Sequence, residues 1–416
     1  MYFKFILTSF IFVLAIDWYY FRSIKKLTEP LAKKWRKAII IAYWVFTFVV
    51  LATLAYTSSF FVEKTAIPKI LRTYLMGIIF VIYVSKIVGI LFVMMFDLQT
   101  IILFIKKNII KKFRPEKIQQ DLGRRTFLKK TAIVASAIPF GTLLFGMINS
   151  AFDYTVRKQQ LKIPNLPKAF KGLKIIQISD IHTGSFMSNT PLEEAVELIN
   201  KQQADIVFFT GDLVNDISEE ALPFVDTLKK IQAPLGVYSV LGNHDYGDYF
   251  YQPEDVEGKQ HNLKLMKEIH TKMGWKLLNN EHHILEKDNE RLAIIGVENW
   301  GHGMRFPKYG DIEKAKSGCL KEDVKLLLSH DPSHWEAQIL KEHQDIAVTF
   351  SGHTHGMQFG IEIPGFKWSP SEYIYPQWAG LYQHNKQQIY VNRGLGFLGY
   401  PGRVGILPEI TVFELG

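Results

Sequence analysis

Five short strings in the second half of the chain carry side chains that could bind metal ions. They combine carboxylate or amide oxygens with imidazole nitrogens: Asp180-Ile-His182, Gly211-Asp212, Gly242-Asn243-His244-Asp245, His330-Asp331 and Gly352-His353-Thr354-His355. These ligands suit Mn²⁺, Fe or Zn²⁺ better than metals that prefer thiolates. The chain has a single cysteine, Cys319, which excludes a thiolate cluster. The strings therefore predict a site for two divalent metal ions.

Apolar runs precede the strings and predict the elements that must position them. Six runs read as buried strands: 174–178, 206–209, 237–241, 292–297, 324–328 and 346–350. Helical periodicity occupies 191–203 and 219–231, with Thr190 and Ser218 as the expected N-caps. Strands that alternate with helices predict a soluble α/β domain.

The spacing of the strings predicts that their side chains converge. Asp180, Asp212 and Asn243 follow one another at 32 and 31 residues, about the length of one βαβ unit. Open α/β sheets place their sites at the carboxyl ends of parallel strands. A glycine stands before Asp212, Asn243 and His353, which is consistent with tight turns directly after the strands.

With these motifs in this order, the chain from about Lys171 to its end resembles the calcineurin-like metallophosphoesterases. The likeness is strongest to their membrane-anchored or twin-arginine-exported bacterial branch, and the tail string VNRGLGFLGYPGRVGILPEI at 391–410 also resembles that branch. One departure is Met357, where the family often has a second glycine after GHTHG. The resemblance implies an α/β fold, a four-layer αββα sandwich, over residues 161–416.

The resemblance also implies a role for each residue of the strings. Seven residues would hold two divalent metal ions: Asp180, His182 and His355 the first, Asn243, His330 and His353 the second, and Asp212 both. His244 would face the scissile phosphate and protonate the leaving oxygen, with Asp245 orienting its ring and Asp331 doing the same for His330. Two adjacent cations can activate water and stabilise an in-line displacement at phosphorus.

Other residues leave alternatives open. Arg393 could bind the substrate phosphate through a bidentate contact, together with Asn243, or it could brace the C-terminal strands. Asn215 and Asp216 are expected to be turn residues. Two aromatic stretches, 300–309 and 366–382, are expected to form rim loops that either pack locally or contact a lipid, a sugar, a nucleobase or the membrane interface.

Residues 1–152 differ sharply in composition and predict an all-α membrane anchor. The first 150 residues hold 22 Lys and Arg against 6 Asp and Glu, whereas the remainder of the chain is net acidic, so the overall charge of +9 does not indicate a nucleic-acid partner. Apolar stretches near the ~20 residues of a spanning helix predict four transmembrane helices. They lie at 3–20, 38–56, 74–96 and 132–152.

Basic residues between the stretches predict the orientation. The loop after the first stretch and the segment after the third are rich in Lys and Arg, which places both in the cytoplasm and the C-terminal domain on the outer side. Arg124-Arg125 before the fourth stretch resembles the twin-arginine signal of exported bacterial proteins. The two arginines could equally be ordinary positive-inside charges, and the first stretch could be a cleaved signal peptide, although it lacks a small-residue cleavage site.

Two further features belong to the anchor. Lys86 lies in the middle of the third stretch, where we expect a paired or snorkelling lysine, a transport or sensing role being the alternative. Residues 98–113 are apolar with lysines at intervals, which indicates an amphipathic segment on the inner membrane surface.

Together these patterns predict a membrane-anchored phosphoesterase at the outer face of the bacterial cytoplasmic membrane. Its partners would be the lipid bilayer and a phosphate mono- or diester. Because the domain is anchored in the membrane, we favour a lipid-linked or envelope phosphate as this ester. If the orientation is inverted, a hydrolase of a UDP-2,3-diacylglucosamine-type pyrophosphate becomes the leading alternative. A non-catalytic sensing module should have lost ligands, and a metallopeptidase should carry an HExxH string, which this sequence lacks.

Overall fold

The computed structural model describes residues 2–57, 69–111, 122–303 and 308–416. These residues form two compact units, Met1–Phe145 and Gly146–Gly416. In its described part the first unit is helical: α1 (Tyr2–Leu27), α2 (Lys33–Thr57), α3 (Lys69–Lys111) and α4 (Leu122–Phe145). A π-helical turn, Gly146–Ser150, opens the second unit.

Three of the described helices are long and apolar enough to cross a membrane: Leu7–Leu27, Lys33–Tyr56 and Lys69–Gln99. The predicted fourth span, 132–152, corresponds to a shorter apolar segment, Val134–Ser150, which includes the π-helical turn. The predicted amphipathic segment is not separate, because α3 continues without a break to Lys111, and residues 112 and 113 lie outside the described part. Arg124-Arg125 lie near the start of α4, and the export reading stays a prediction.

Lys86 in α3 is paired with Asp17 in α1. The ammonium contacts Oδ1 of Asp17, and both side chains are buried. The Asp17 carboxylate also accepts hydrogen bonds from Tyr43 at 2.9 Å, from Thr47 at 2.7 Å and from Tyr83 at 2.7 Å. A charge inside an apolar bundle is costly unless it is paired and hydrogen-bonded. The carboxylate therefore links α1, α2 and α3.

The second unit is built on two six-stranded sheets and a separate hairpin. The first sheet has the order β1-β14-β2-β3-β4-β5 and the second β12-β13-β9-β8-β7-β6, while β10 pairs with β11. The strands are β1 (Thr155–Leu161), β2 (Lys174–Ile178), β3 (Ile206–Phe209), β4 (Val237–Ser239), β5 (Lys276–Leu277), β6 (Glu281–Lys287), β7 (Glu290–Gly296), β8 (Val324–Leu328), β9 (Ile346–Ser351), β10 (Ile361–Ile363), β11 (Phe366–Trp368), β12 (Gly380–His384), β13 (Gln387–Val391) and β14 (Glu409–Leu415).

Parallel pairing brings the ends of the central strands to one edge. In the first sheet β2, β3 and β4 run parallel, with Ile178 opposite Phe209 and Phe209 opposite Ser239. In the second sheet β7, β8 and β9 are also parallel. Because parallel strands deliver their carboxyl ends together, the segments that follow them are neighbours.

Three apolar clusters show the layering. The faces of the two sheets meet in a core that contains Ile175, Phe208, Leu292, Leu326 and Phe350. The outer face of the first sheet packs on α5 (Thr190–Lys201), α6 (Val225–Leu228) and α7 (Val256–Met273). The outer face of the second packs on α8 (Ile312–Ala315) and on a π-helical turn, Trp335–Ile339, that leads into α9 (Leu340–Glu342). The unit is a four-layer αββα sandwich, as predicted.

Several local predictions were wrong. The expected helix 219–231 is a 3-10 helix, Ser218–Phe224, followed by the single turn α6, because Pro223 cannot donate a helical hydrogen bond. Ser218 caps nothing: its hydroxyl donates to the carbonyl of Asn262. Thr190 is the first residue of α5, and Asn189 takes the cap position. The first sheet also begins at Thr155, before the predicted domain start at 161, because β1 pairs with β14.

Candidate metal centre

The seven predicted ligands lie on segments that follow five parallel strands. Asp180 and His182 follow β2, Asp212 follows β3 and Asn243 follows β4. In the second sheet His330 follows β8, and His353 and His355 follow β9. Short hydrogen bonds between these segments fix them, since the Asp180 amide donates to Gly211 and the Gly352 amide donates to His330.

The first group consists of Asp180, His182 and His355, which are all buried. Nε2 of His182 and Nε2 of His355 are 3.1 Å apart, and Nε2 of His355 is 3.2 Å from Oδ1 of Asp180. Three donor atoms thus face one point. Such a group could hold a metal ion.

The second group consists of Asp212, His330 and His353, with Asn243 beside them. Nδ1 of His353 lies 3.3 Å from Nε2 of His330 and 2.8 Å from Oδ1 of Asn243. Oδ2 of Asp212 lies 3.1 Å from Nε2 of His330 and 3.6 Å from Nε2 of His182. One carboxylate oxygen therefore faces both groups, which is the geometry expected of a bridging ligand.

Backbone carbonyls fix the tautomers of two histidines. Nδ1 of His182 donates to the carbonyl of Val214 at 3.0 Å, and Nδ1 of His330 donates to that of Thr210 at 2.7 Å. Because a carbonyl can only accept, the proton of each neutral ring sits on Nδ1 and the lone pair of Nε2 points into the centre. Neutral imidazoles with inward lone pairs next to carboxylates are the donor set that a divalent cation requires.

Five of the seven predicted ligands have left-handed backbone. The φ angles of Asp180, His182, Asp212, His353 and His355 lie between 48° and 73°. This conformation costs of order 1–3 kcal/mol for a residue with a Cβ and concentrates at functional sites. The strain turns each side chain inward directly after its strand, so that neighbouring strands deliver ligands to a single volume.

Two glycines of the strings serve close approach rather than a turn. A Cβ on Gly242 would lie 2.2 Å from Oδ1 of Asp212, and a Cβ on Gly352 would lie 2.2 Å from Oδ2 of Asp180. Neither glycine has a positive φ. The two carboxylates therefore rest against bare backbone.

The charges of the centre are strongly coupled. Burial raises the pKa of Asp212, but the adjacent histidines, His330 foremost, outweigh burial and hold it well below its usual value. Burial lowers the pKa of His330, but Asp212 and Asp180 raise it to about 10. Burial lowers the pKa of His182 and of His353. Metal binding requires the unprotonated Nε2 of His330, so a bound cation would have to displace the proton that the two carboxylates favour.

Two segments of the chain match models of known protein families. Residues 173–357 match the family model described as "Calcineurin-like phosphoesterase", and residues 3–151 match that described as "Probable Calcineurin-like phosphoesterase, transmembrane domain". The chain belongs to the calcineurin-like metallophosphoesterases. The match at residues 3–151 and the three candidate membrane spans indicate that this metallophosphoesterase is associated with a membrane.

Two relatives illustrate the likeness. The "Transmembrane protein with metallophosphoesterase domain" of Danio rerio is 30% identical over 68% of this chain. The "Uncharacterized metallophosphoesterase YkuE" of Bacillus subtilis is 28% identical over 71% of this chain and 98% of its own length. This chain spans 62% of the length of the Danio rerio relative.

His244 of this metallophosphoesterase lies beside the ligands, but Asp245 does not orient its ring. Nδ1 of His244 donates to the carbonyl of Asn215 at 2.5 Å, so its Nε2 points away from that carbonyl. The Asp245 carboxylate instead accepts hydrogen bonds from the amides of Asp212 at 3.0 Å, Leu213 at 2.8 Å and Gly242 at 2.9 Å. The prediction for Asp245 was wrong, since this residue holds the Asp212 loop. Burial and the Asp212 carboxylate raise the pKa of Asp245, and these amide donors oppose the rise.

Asp331 and Arg393 also differ from expectation. Thr210, not Asp331, orients His330, and Asp331 accepts from the amide of Ser333 at 2.8 Å. Arg393 is buried, and its guanidinium contacts Glu409 and, at 2.6 Å, Glu362. Both carboxylates neutralise it. The structure contradicts a role of Arg393 in phosphate binding and gives it the alternative role of bracing the C-terminal strand β14.

Three residues near the centre were missed. The hydroxyl of Tyr375 lies 2.7 Å from Nε2 of His353, and the hydroxyl of Tyr249 accepts from Nδ2 of Asn243 at 2.8 Å. Arg403 is fully buried and places Nη2 3.2 Å from Nδ1 of His355. Burial lowers the pKa of Arg403 to about 10. Arg403 belongs to the tail string 391–410, which resembles the family, whereas no local sequence pattern marks the two tyrosines.

Proposed function

We propose that this metallophosphoesterase is a membrane-anchored dinuclear enzyme that hydrolyses phosphate mono- or diesters. The observation that carries the proposal is the position of Asp212 Oδ2 between two groups of inward-facing donors. Asp180, His182 and His355 would hold one divalent cation. Asn243, His330 and His353 would hold the other, and Asp212 would touch both.

When bound, the cations supply charge that neutralises phosphate oxygens and acidifies a water molecule. The protein's own contribution is proton transfer and orientation. The ring of His244 lies 5.0 Å from that of His182, and the Asn215 carbonyl keeps the Nδ1 proton in place. Protonation at Nε2 therefore makes His244 a donor for the leaving oxygen. The ring of Tyr249 lies 4.5 Å from that of His244 and limits its movement.

We place the centre on the outer side of the bacterial cytoplasmic membrane and expect a lipid-linked or envelope phosphate as substrate. The basic segments that follow the first and third apolar stretches support this orientation. Arg124-Arg125 agree with it. A domain facing the cytoplasm would instead favour a UDP-2,3-diacylglucosamine-type substrate.

The chemical test uses the full chain, reconstituted in lipid nanodiscs and supplied with Mn²⁺ or Zn²⁺ to occupy the candidate metal centre. Turnover of 4-nitrophenyl phosphate and of bis(4-nitrophenyl) phosphate is compared for wild type, Asp212→Asn and His244→Ala, with His384→Ala, an exposed histidine of β12, as the matched control. We expect Asp212→Asn to lose bound metal and activity together. Full activity of Asp212→Asn would contradict the dinuclear assignment.

The orientation is tested separately by a reporter enzyme that is active only outside the cytoplasm. It is fused after Gly416 of the full chain in a bacterial host. We expect activity, and a matched fusion of a reporter that is active only inside should be silent. The reverse pattern would overturn the outer location without affecting the chemistry.

A further inference from the structure

The hairpin of β10 and β11, with the turn that follows it, exposes a cluster of large apolar side chains. We call residues 361–374 the apolar arm. The exposed fractions are 49% for Ile361, 58% for Ile363, 52% for Phe366, 76% for Tyr373 and 53% for Ile374. Contiguous exposed apolar surface marks an interaction site more often than ordinary surface.

Two charged side chains of the hairpin, Glu362 and Lys367, are turned back onto the domain. The Glu362 carboxylate is bound by Arg157 at 2.7 Å and by Arg393 at 2.6 Å. The Lys367 ammonium donates to the carbonyl of Ala379 at 2.6 Å. The hairpin tip therefore presents isoleucine and phenylalanine outward, while at its base Glu362 is ion-paired and Lys367 is hydrogen-bonded.

Both ends of the apolar arm are tied to the metal centre. Its N-terminal end follows the 3-10 turn His355–Gln358, which begins at a candidate ligand. Ser369 donates through its hydroxyl to the carbonyl of Gly356 at 2.7 Å. Its C-terminal end leads directly to Tyr375, whose hydroxyl contacts His353. A molecule held along the apolar arm thus has a short path to the candidate ligands.

The base of the apolar arm also adjoins the point at which the domain's chain begins. The Gly360 amide donates to the carbonyl of Val404 at 2.9 Å, and the Arg403 amide donates to that of Gly146 at 3.2 Å. Gly146 directly follows α4, the last helix of the transmembrane region. Ile148, two residues further on, is 71% exposed. Segment 402–404 therefore joins the arm to the first residues after the membrane anchor.

We propose that the apolar arm inserts into the bilayer interface and that the substrate is an amphiphilic phosphate ester whose headgroup reaches the metal centre from the membrane. The substrate part rests on the proposed function. Isoleucine, phenylalanine and tyrosine at the arm match the interfacial zone, where apolar side chains enter the acyl boundary and tyrosine stays at headgroup level. The transmembrane region tethers the domain to the bilayer, so weak insertion of the arm suffices.

Insertion is measured on the full chain in nanodiscs, without reference to activity. Because Cys319 is the only cysteine, a Cys319→Ser background permits one environment-sensitive fluorophore at Phe366→Cys or, as the control, at the exposed Asp288→Cys in the β6–β7 turn. We expect brominated lipids to quench the label at 366 and to leave that at 288 unaffected. Equal quenching at both sites would overturn insertion. Shielding of the label at 366 from solvent that appears only at high protein concentration would overturn it as well, because it indicates contact between copies of the chain.

The substrate class is tested with two diesters that differ only in their alkyl chain, hexadecyl and methyl 4-nitrophenyl phosphate. For the double variant Ile363→Ser/Phe366→Ser we expect a loss of about tenfold on the hexadecyl ester in vesicles and little change on the methyl ester. Equal loss on both esters would contradict the proposal. If wild type hydrolyses neither these diesters nor 4-nitrophenyl phosphate, the proposed function fails, while the quenching result still decides insertion.

Discussion

The main-chain carbonyl of Asn215 accepts a hydrogen bond from Nδ1 of His244, at 2.5 Å. A backbone atom, not a carboxylate, therefore sets the tautomer of the expected proton donor. Because a carbonyl can only accept, Nδ1 of His244 carries the hydrogen of this bond, and Nε2 is the ring nitrogen that remains to act on a substrate. It also separates the task of His244 from that of Asp245, and the two can be tested apart.

His244→Ala should keep its metal and lose about 10²–10⁴ in kcat, the range for a positioned general acid. The substitution removes a side chain that neither group of ligands includes. Elemental analysis and turnover of 4-nitrophenyl phosphate measure the two quantities on one sample. Loss of metal in proportion to activity would mean that His244 is a ligand.

Asp245→Ala should act on stability and metal content. It leaves the buried amides of Asp212, Leu213 and Gly242 without their acceptor, and each unsatisfied group costs about 1–3 kcal/mol. We expect a lower melting temperature and a weaker Mn²⁺ affinity, recorded by thermal unfolding with and without metal. Asp248→Ala, on the half-buried pair with Lys259, is the matched control and should change little.

Tyr375→Phe should weaken metal binding by about 10–100-fold, as outer partners of metal ligands commonly do. Nδ1 of His353 faces the second group, so Nε2 must carry the proton, and the Tyr375 hydroxyl accepts it. Calorimetric titration with Mn²⁺ gives the affinity. Tyr309→Phe, whose hydroxyl contacts Asp248 at 3.2 Å, should retain wild-type affinity.

Glu409→Gln should destabilise the domain at neutral pH and remove an acid-sensitive part of its stability. Burial raises the pKa of Glu409, but Arg393 and Arg157 outweigh burial and lower it. The stabilisation is complete above the unfolded-state pKa of about 4.3 and is lost as the pH falls through the lower folded-state value. Chemical unfolding between neutral and acidic pH should show a steeper decline for wild type than for the variant.

Asp17→Asn or Lys86→Met alone should destabilise the helical unit by roughly 3–5 kcal/mol, because each leaves a buried charge without its partner. The double variant should recover much of the loss, since both charges are gone. Thermal unfolding in detergent, read as a double-mutant cycle, measures the coupling. Additive losses would show that the ion pair does not act as a unit.

The sequence by itself predicted the candidate ligands and the strands that carry them. Asp180, Asp212 and Asn243 could be placed together because each follows an apolar run, and parallel strands end at one edge whatever their loops do. The two sheets and their helix layers were implied by the resemblance to the calcineurin-like family, whereas the regularity itself predicted alternating strands and helices. It failed at 219–231, where Pro223 and a contact with Asn262 replaced helical periodicity.

Only the tertiary structure decided how the residues around the ligands act. Carbonyls of Thr210, Val214 and Asn215 orient three histidines, and a backbone carbonyl leaves no trace in residue type. Arg393 does not take the phosphate-binding role considered for it, because its guanidinium is paired with Glu362 and Glu409, which lie on other segments of the chain. Ligand identity follows from local pattern, whereas partner choice depends on long-range packing that brings remote segments within hydrogen-bond distance.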